Sequence, residues 1–73
     1  MNKNSVELYK QLYPSGTRVE VVQMSDDEPR PIPSGTKGTV VVVDDMGTVH
    51  CTFDNGRRLG LIPSVDIFKK VWE

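Results

Sequence analysis

Between Gly38 and Pro63 the chain alternates short β-branched or apolar runs with clusters of Asp, Asn and Gly. The runs are Val40 to Val43, Val49 to Phe53 and Leu59 to Ile62; Asp44-Asp45-Met46-Gly47 and Asp54-Asn55-Gly56 separate them. Runs of this length cannot hold a stable helix, whereas β-branched residues suit a pleated surface, so the pattern predicts an antiparallel meander. Asn55-Gly56 predicts a two-residue hairpin turn, because such a turn needs positive φ at both positions. In the second run Val49, Cys51 and Phe53 point to one face, and Thr48, His50 and Thr52 to the other. In the first run Val40 and Val42 share one face while Thr39, Val41 and Val43 share the other. Two apolar faces predict a central strand with the core on one side and a helix on the other.

That helix is expected over Asn4 to Tyr13, with Asn4 as its cap, Glu7 three residues on, and Pro14 as its stop. Val6, Tyr9, Leu12 and Tyr13 form its apolar stripe. So short a helix needs a surface to dock on, either its own sheet or a second copy in a homodimer. A first strand is expected over Arg18 to Met24, with a bulge or a bend near Val22 where the alternation breaks. Gly-Thr recurs at positions 16, 35, 38 and 47 as a turn exit leading into a strand. Ser25 to Ser34 holds Pro29, Pro31 and Pro33 at alternate positions and is read as a stiff, extended loop. After Pro63 a single 3₁₀ turn around Val65 to Ile67 leads to a last strand, Ile67 to Val71, with Phe68 in the core and Trp72 folded back onto the sheet. The expectation is a mainly β fold, a small five-stranded SH3-like barrel with a short N-terminal helix: residues 1–14 the helix and connector, 15–73 the barrel.

Of 73 residues, one is cysteine and one histidine, which removes an internal disulfide and a structural zinc site. Cys51 and His50 are adjacent on a strand and point to opposite faces, so they cannot act as a nucleophile and base pair. Asp26-Asp27-Glu28 and Asp44-Asp45 lack calcium-loop spacing, and no glycine-rich phosphate loop opens a helix. No catalytic site, metal or cofactor is expected. Nine basic and ten acidic side chains give a net charge of -1, so no global field draws the protein to nucleic acid. No apolar run reaches the ~20 residues that span a bilayer. A cytoplasmic location without membrane contact is the expectation.

The run Gly16-Thr17-Arg18-Val19, Met24, Asp26-Asp27, Pro33-Ser34-Gly35-Thr36-Lys37-Gly38-Thr39-Val40, Asp44-Asp45-Met46-Gly47, Phe53-Asp54-Asn55-Gly56, Leu59 and Asp66-Ile67-Phe68 resembles the small bacterial and mobile-element family called domain of unknown function 4314. The G-T-V and aromatic-D-N-G pattern is more distantly similar to Mib/Herc2-type SH3-like domains, which act as binding modules. The first resemblance implies a fold and a setting in bacteria, phages or conjugative elements, and no reaction.

Two functional classes follow. The first is a non-catalytic binding module or adaptor for an unknown protein partner. Its site is expected on the loop at Asp26, Asp27, Glu28, Arg30 and Pro31, where prolines limit the freedom lost on association and the charges favour a basic surface. The second is a nucleic-acid- or ribosome-associated barrel, which needs Arg57, Arg58, Lys69 and Lys70 to converge into one basic patch.

Overall fold

One kind of turn, used twice, sets the middle of the sheet. The structure is a computed structural model and describes residues 3–24 and 29–72. At the first of these turns the Gly47 N–H donates to the Asp44 carbonyl (3.0 Å) and the Asp44 N–H to the Thr48 carbonyl (3.0 Å). At the second, Gly56 donates to Phe53 (2.9 Å) and Phe53 to Arg57 (2.7 Å). Gly56 has φ 88°, and no non-glycine residue among those described has positive φ. Each is therefore a three-residue loop, a type I turn closed by a left-handed glycine, and not the two-residue turn expected at Asn55-Gly56. The sequence Pro-Ser-Gly-Thr also recurs and folds alike: Thr17 donates to Pro14 (3.0 Å) and Thr36 to Pro33 (3.1 Å).

Among the described residues these turns bound one helix and five strands: α1 (Lys3–Leu12), β1 (Arg18–Gln23), β2 (Lys37–Val43), β3 (Val49–Phe53), β4 (Arg58–Leu61) and β5 (Ile67–Lys70). The strands form one antiparallel sheet in the order β4-β3-β2-β1-β5, with β2 central as expected. The mainly β, five-stranded architecture with a short N-terminal helix stands. The sheet is not closed into a barrel, because β4 and β5 are its two edges and do not pair with each other. Both are only four residues long.

Val19, Val21, Val40, Val43, Val49, Cys51, Phe53 and Leu61 line the inner face and are buried. Two bulges decide which side chains join them. The pairing of β1 with β5 shifts between Val21 and Gln23, the bulge expected near Val22, so that Val22 and Gln23 both face solvent and Met24 turns inward. The pairing of β2 with β3 shifts between Val40 and Val42. Val40 and Val43 therefore point inward while Val41 and Val42 are about half exposed, contrary to the simple alternation expected of this run. Gly38 also departs from expectation. It pairs with Phe53 inside β2 and opens no turn, and it is glycine where the Phe53 ring occupies the place of a side chain.

From the proline loop Ile32 is buried with Met24 in the core, and its N–H donates to Met24 Sδ at 3.2 Å. Part of the loop expected to be a binding element therefore plugs the fold. Helix α1 lies beside β2, with Val6 buried and Tyr9 and Tyr13 against the core. It begins at Lys3, so Asn4 sits within its first turn and is not its cap; Leu12, expected on the docking stripe, is exposed. The Tyr13 ring lies 5.4 Å from that of Phe68, with Lys70 Nζ 5.3 Å from its centroid. This aromatic contact fills the space beside β5. Trp72, beyond the last strand, is 91% exposed and does not fold back. Between β4 and β5 the Asp66 carboxylate accepts the Ile62 N–H (2.8 Å), fixing a hydrogen-bonded turn where a 3₁₀ turn was expected.

Candidate functional site

The outer face of the sheet is read from its register. Arg18 pairs with Thr39, Thr39 with Thr52, and Thr52 with Arg58, so an Arg-Thr-Thr-Arg row crosses four strands. Its two ends differ. The Arg18 guanidinium donates to both oxygens of Asp54 (2.9 and 2.7 Å) and to Thr39 Oγ1 (3.0 Å). The hydrogen bond from Arg18 holds the Asp54 carboxyl below its ordinary pKa. Arg58, at the other end, has neither an ion pair nor a side-chain hydrogen bond among the described residues. Arg57 beside it has none either.

Next to Arg58 the same face opens into a groove of about 610 Å³ lined by the outer-face residues Val41, His50, Thr52, Arg58 and Gly60 and by Cys51 and Leu59 between them on β3 and β4. The bulge in β2 supplies Val41, 52% exposed, as apolar surface. Gly60 lies directly under the Thr48 methyl, and a Cβ there would lie 2.5 Å from Thr48 Cγ2. His50 Nε2 lies 2.7 Å from Asp44 Oδ2, while Asp44 Oδ1 accepts the N–H groups of Met46 (2.9 Å) and Thr48 (3.0 Å). These bonds, the one with His50 foremost, lower the Asp44 pKa. The histidine is thereby positioned by the turn that begins its own hairpin. Lys10 on α1 pairs with Asp45 of the same turn at 2.7 Å.

Asp26, Asp27 and Glu28 lie outside the described residues. Arg30 and Pro31 are exposed, and so stand on the surface beside buried Ile32. The basic residues of the nucleic-acid expectation divide between the edges of the sheet. Arg58 is on β4, with Arg57 just before it, and Lys69 and Lys70 are on β5, with three strands between. Lys69 stands 3.7 Å from Glu20, and Lys70 covers Tyr13. Val41, His50 and Gly60 were not expected at a site. The signal for His50 is an Asp opening a hairpin loop and a His two residues beyond its glycine-threonine exit. For Val41 there is none, since its exposure depends on the bulge.

Cys51 is buried, and desolvation pushes its thiol pKa up to about 11. Among the described residues no three or more His, Cys, Asp or Glu gather where they would hold a metal ion. No helix among them is long and apolar enough to cross a membrane.

Fold and site together define a small mainly β protein with an open five-stranded antiparallel sheet, braced by a helix and carrying a cationic groove on its outer face. The model of the family described as "Domain of unknown function (DUF4314)" matches residues 2–71, and the chain belongs to that family. Neither a curated protein nor a solved structure matches it.

Proposed function

We propose that the chain is a non-catalytic binding module for a protein partner, which seats in the outer-face groove of β2, β3 and β4. The observation that carries this reading is Arg58. It is an exposed guanidinium with no acidic partner among the described residues, beside half-exposed Val41 and the Thr52 hydroxyl. The equivalent position at the far end of its row, Arg18, is neutralised by Asp54. A cation, a hydroxyl and an apolar surface in one concavity suit a mixed polar and apolar segment. The one thiol is buried with a raised pKa, which supports a role without thiol chemistry.

Affinity capture from the host cell tests the reading, with wild type, Arg58→Glu and Arg30→Ala as baits and a nuclease-treated sample in parallel. The partner is expected to be lost with Arg58→Glu, at an unchanged melting temperature, and retained with Arg30→Ala and after nuclease. Loss with Arg30→Ala alone would place the site on the proline loop. Loss after nuclease would replace the protein partner by nucleic acid.

A further inference from the structure

Resting on that reading, we infer that the partner segment is an acidic extended strand that adds to the sheet along the open edge of β4. The main chain of that edge supports the inference independently of the groove. In an antiparallel pair, residues alternate between those whose N–H and C=O face the neighbouring strand and those whose groups face away. The Phe53 N–H donates to the Arg57 carbonyl, which fixes the phase of β3 against β4. With Cys51 opposite Leu59 and Val49 opposite Leu61, the main-chain groups of Leu59 and Leu61 face β3. Those of Arg58 and Gly60 face outward and find no partner among the described residues. Ile62 closes the array, since its N–H is taken by Asp66 and its carbonyl by Val65 and Asp66. The open edge thus offers two donors and two acceptors in strand geometry, enough to register a short extended segment.

The side chains specify what that segment carries. A residue paired with Arg58 puts its side chain on the same outer face, within reach of a guanidinium that has no carboxylate partner among the described residues, and Arg57 adds a second cation without one among them at that end. The alternate residues of the added strand point to the inner face beside half-buried Leu59, which suits apolar, β-branched side chains. The expected ligand alternates acidic and apolar residues. At the opposite edge the cations of β5 are already engaged, Lys69 with Glu20 and Lys70 with Tyr13. That edge lacks the charge complementarity of β4.

A randomised short-peptide library, selected against the whole protein and against Arg58→Glu, provides the test. Wild type is expected to select alternating acidic and apolar sequences, and the variant to exchange the acidic positions for Lys or Arg. The best wild-type peptide should bind the variant roughly three- to tenfold more weakly, the range of a solvent-exposed ion pair or somewhat above it. If Arg58→Glu does not fold, Arg58→Gln should lose the acidic preference without gaining a basic one. N-methylation of the peptide amides that face β4 should abolish binding, and bound peptide should protect the Arg58 and Gly60 amides from exchange. Selection of basic or uncharged sequences, or of none, overturns the inference. Acidic peptides that depend on Arg58 but tolerate every N-methylation would overturn strand addition and leave the groove reading intact. Peptide selection and cellular capture both indifferent to Arg58→Glu would overturn both. A single-stranded oligothymidylate that displaces the peptide with the same Arg58 dependence would replace the acidic strand by nucleic acid.

Discussion

Gly38 and Phe53 face each other across β2 and β3 so closely that a Cβ on Gly38 would lie 2.6 Å from Phe53 Cδ1. Phe53 is 2% exposed and central to the inner face, so its ring cannot swing away. Gly38→Ala is expected to destabilise the protein by about 1–3 kcal/mol through overpacking. The cost should shrink in a Phe53→Leu background, where the branched side chain can yield. Thermal melts of the four members of this cycle check the coupling, and additive effects would place the ring elsewhere.

Gly56 presents a different constraint, since a Cβ there would meet nothing within 4 Å and only the φ of 88° forbids one. Gly56→Val should cost about 1 kcal/mol or more, from left-handed strain alone. Chemical denaturation of Gly56→Val beside Gly56→Asn measures it. Asn tolerates the left-handed region and should recover part of the loss.

Asp44 and Asp54 both have pKa values lowered from the ordinary 3.8, by hydrogen bonds from His50 and from Arg18 respectively. A carboxyl depressed in the folded state stabilises it above the unfolded pKa, and that contribution fades as pH falls through the folded value. The melting temperature should therefore drop on acidification from the ordinary carboxyl range downward. Asp44→Asn and Asp54→Asn should each flatten that acid limb, as melts across an acid pH series would reveal. Both groups are exposed, so the flattening should be small and should diminish further in salt.

Burial of Cys51 makes its labelling a report on unfolding. With the thiol pKa near 11 and the side chain 2% exposed, native protein at neutral pH should react with a thiol reagent only as fast as the structure opens. Denaturant should accelerate labelling in parallel with loss of the folded signal. Rapid labelling of native protein would contradict the inward direction of β3.

Where sequence alternation was strict, the structure was legible. Val49-His50-Cys51-Thr52-Phe53 alternates inward and outward as its residue types require, and the break at Val22 marks a real bulge. The run Val40 to Val43 was not legible in detail, because four identical β-branched residues carry no phase. The bulge that exposes Val41 and Val42 is set by pairing with β3. Ile32, between two prolines, reads as loop from local chemistry, yet it is held in the core by Met24. Turn positions could be placed from Asp, Asn and Gly, but the three-residue type depends on which hydrogen bonds close the hairpin. The site was half legible. Arg57 and Arg58 were visible as cations, whereas their separation from Lys69 and Lys70 follows from strand order, which charge alone does not encode.

The most direct test of the account is an amide correlation spectrum of the whole isotope-labelled protein, recorded before and after addition of the partner captured from the host cell. The largest shifts are expected at Val41, His50, Thr52, Arg58 and Gly60, with slowed exchange at the Arg58 and Gly60 amides. Shifts confined to Arg30, Ile32 and Ser34, or to Lys69 and Lys70, with the Arg58 and Gly60 amides unmoved, would contradict it.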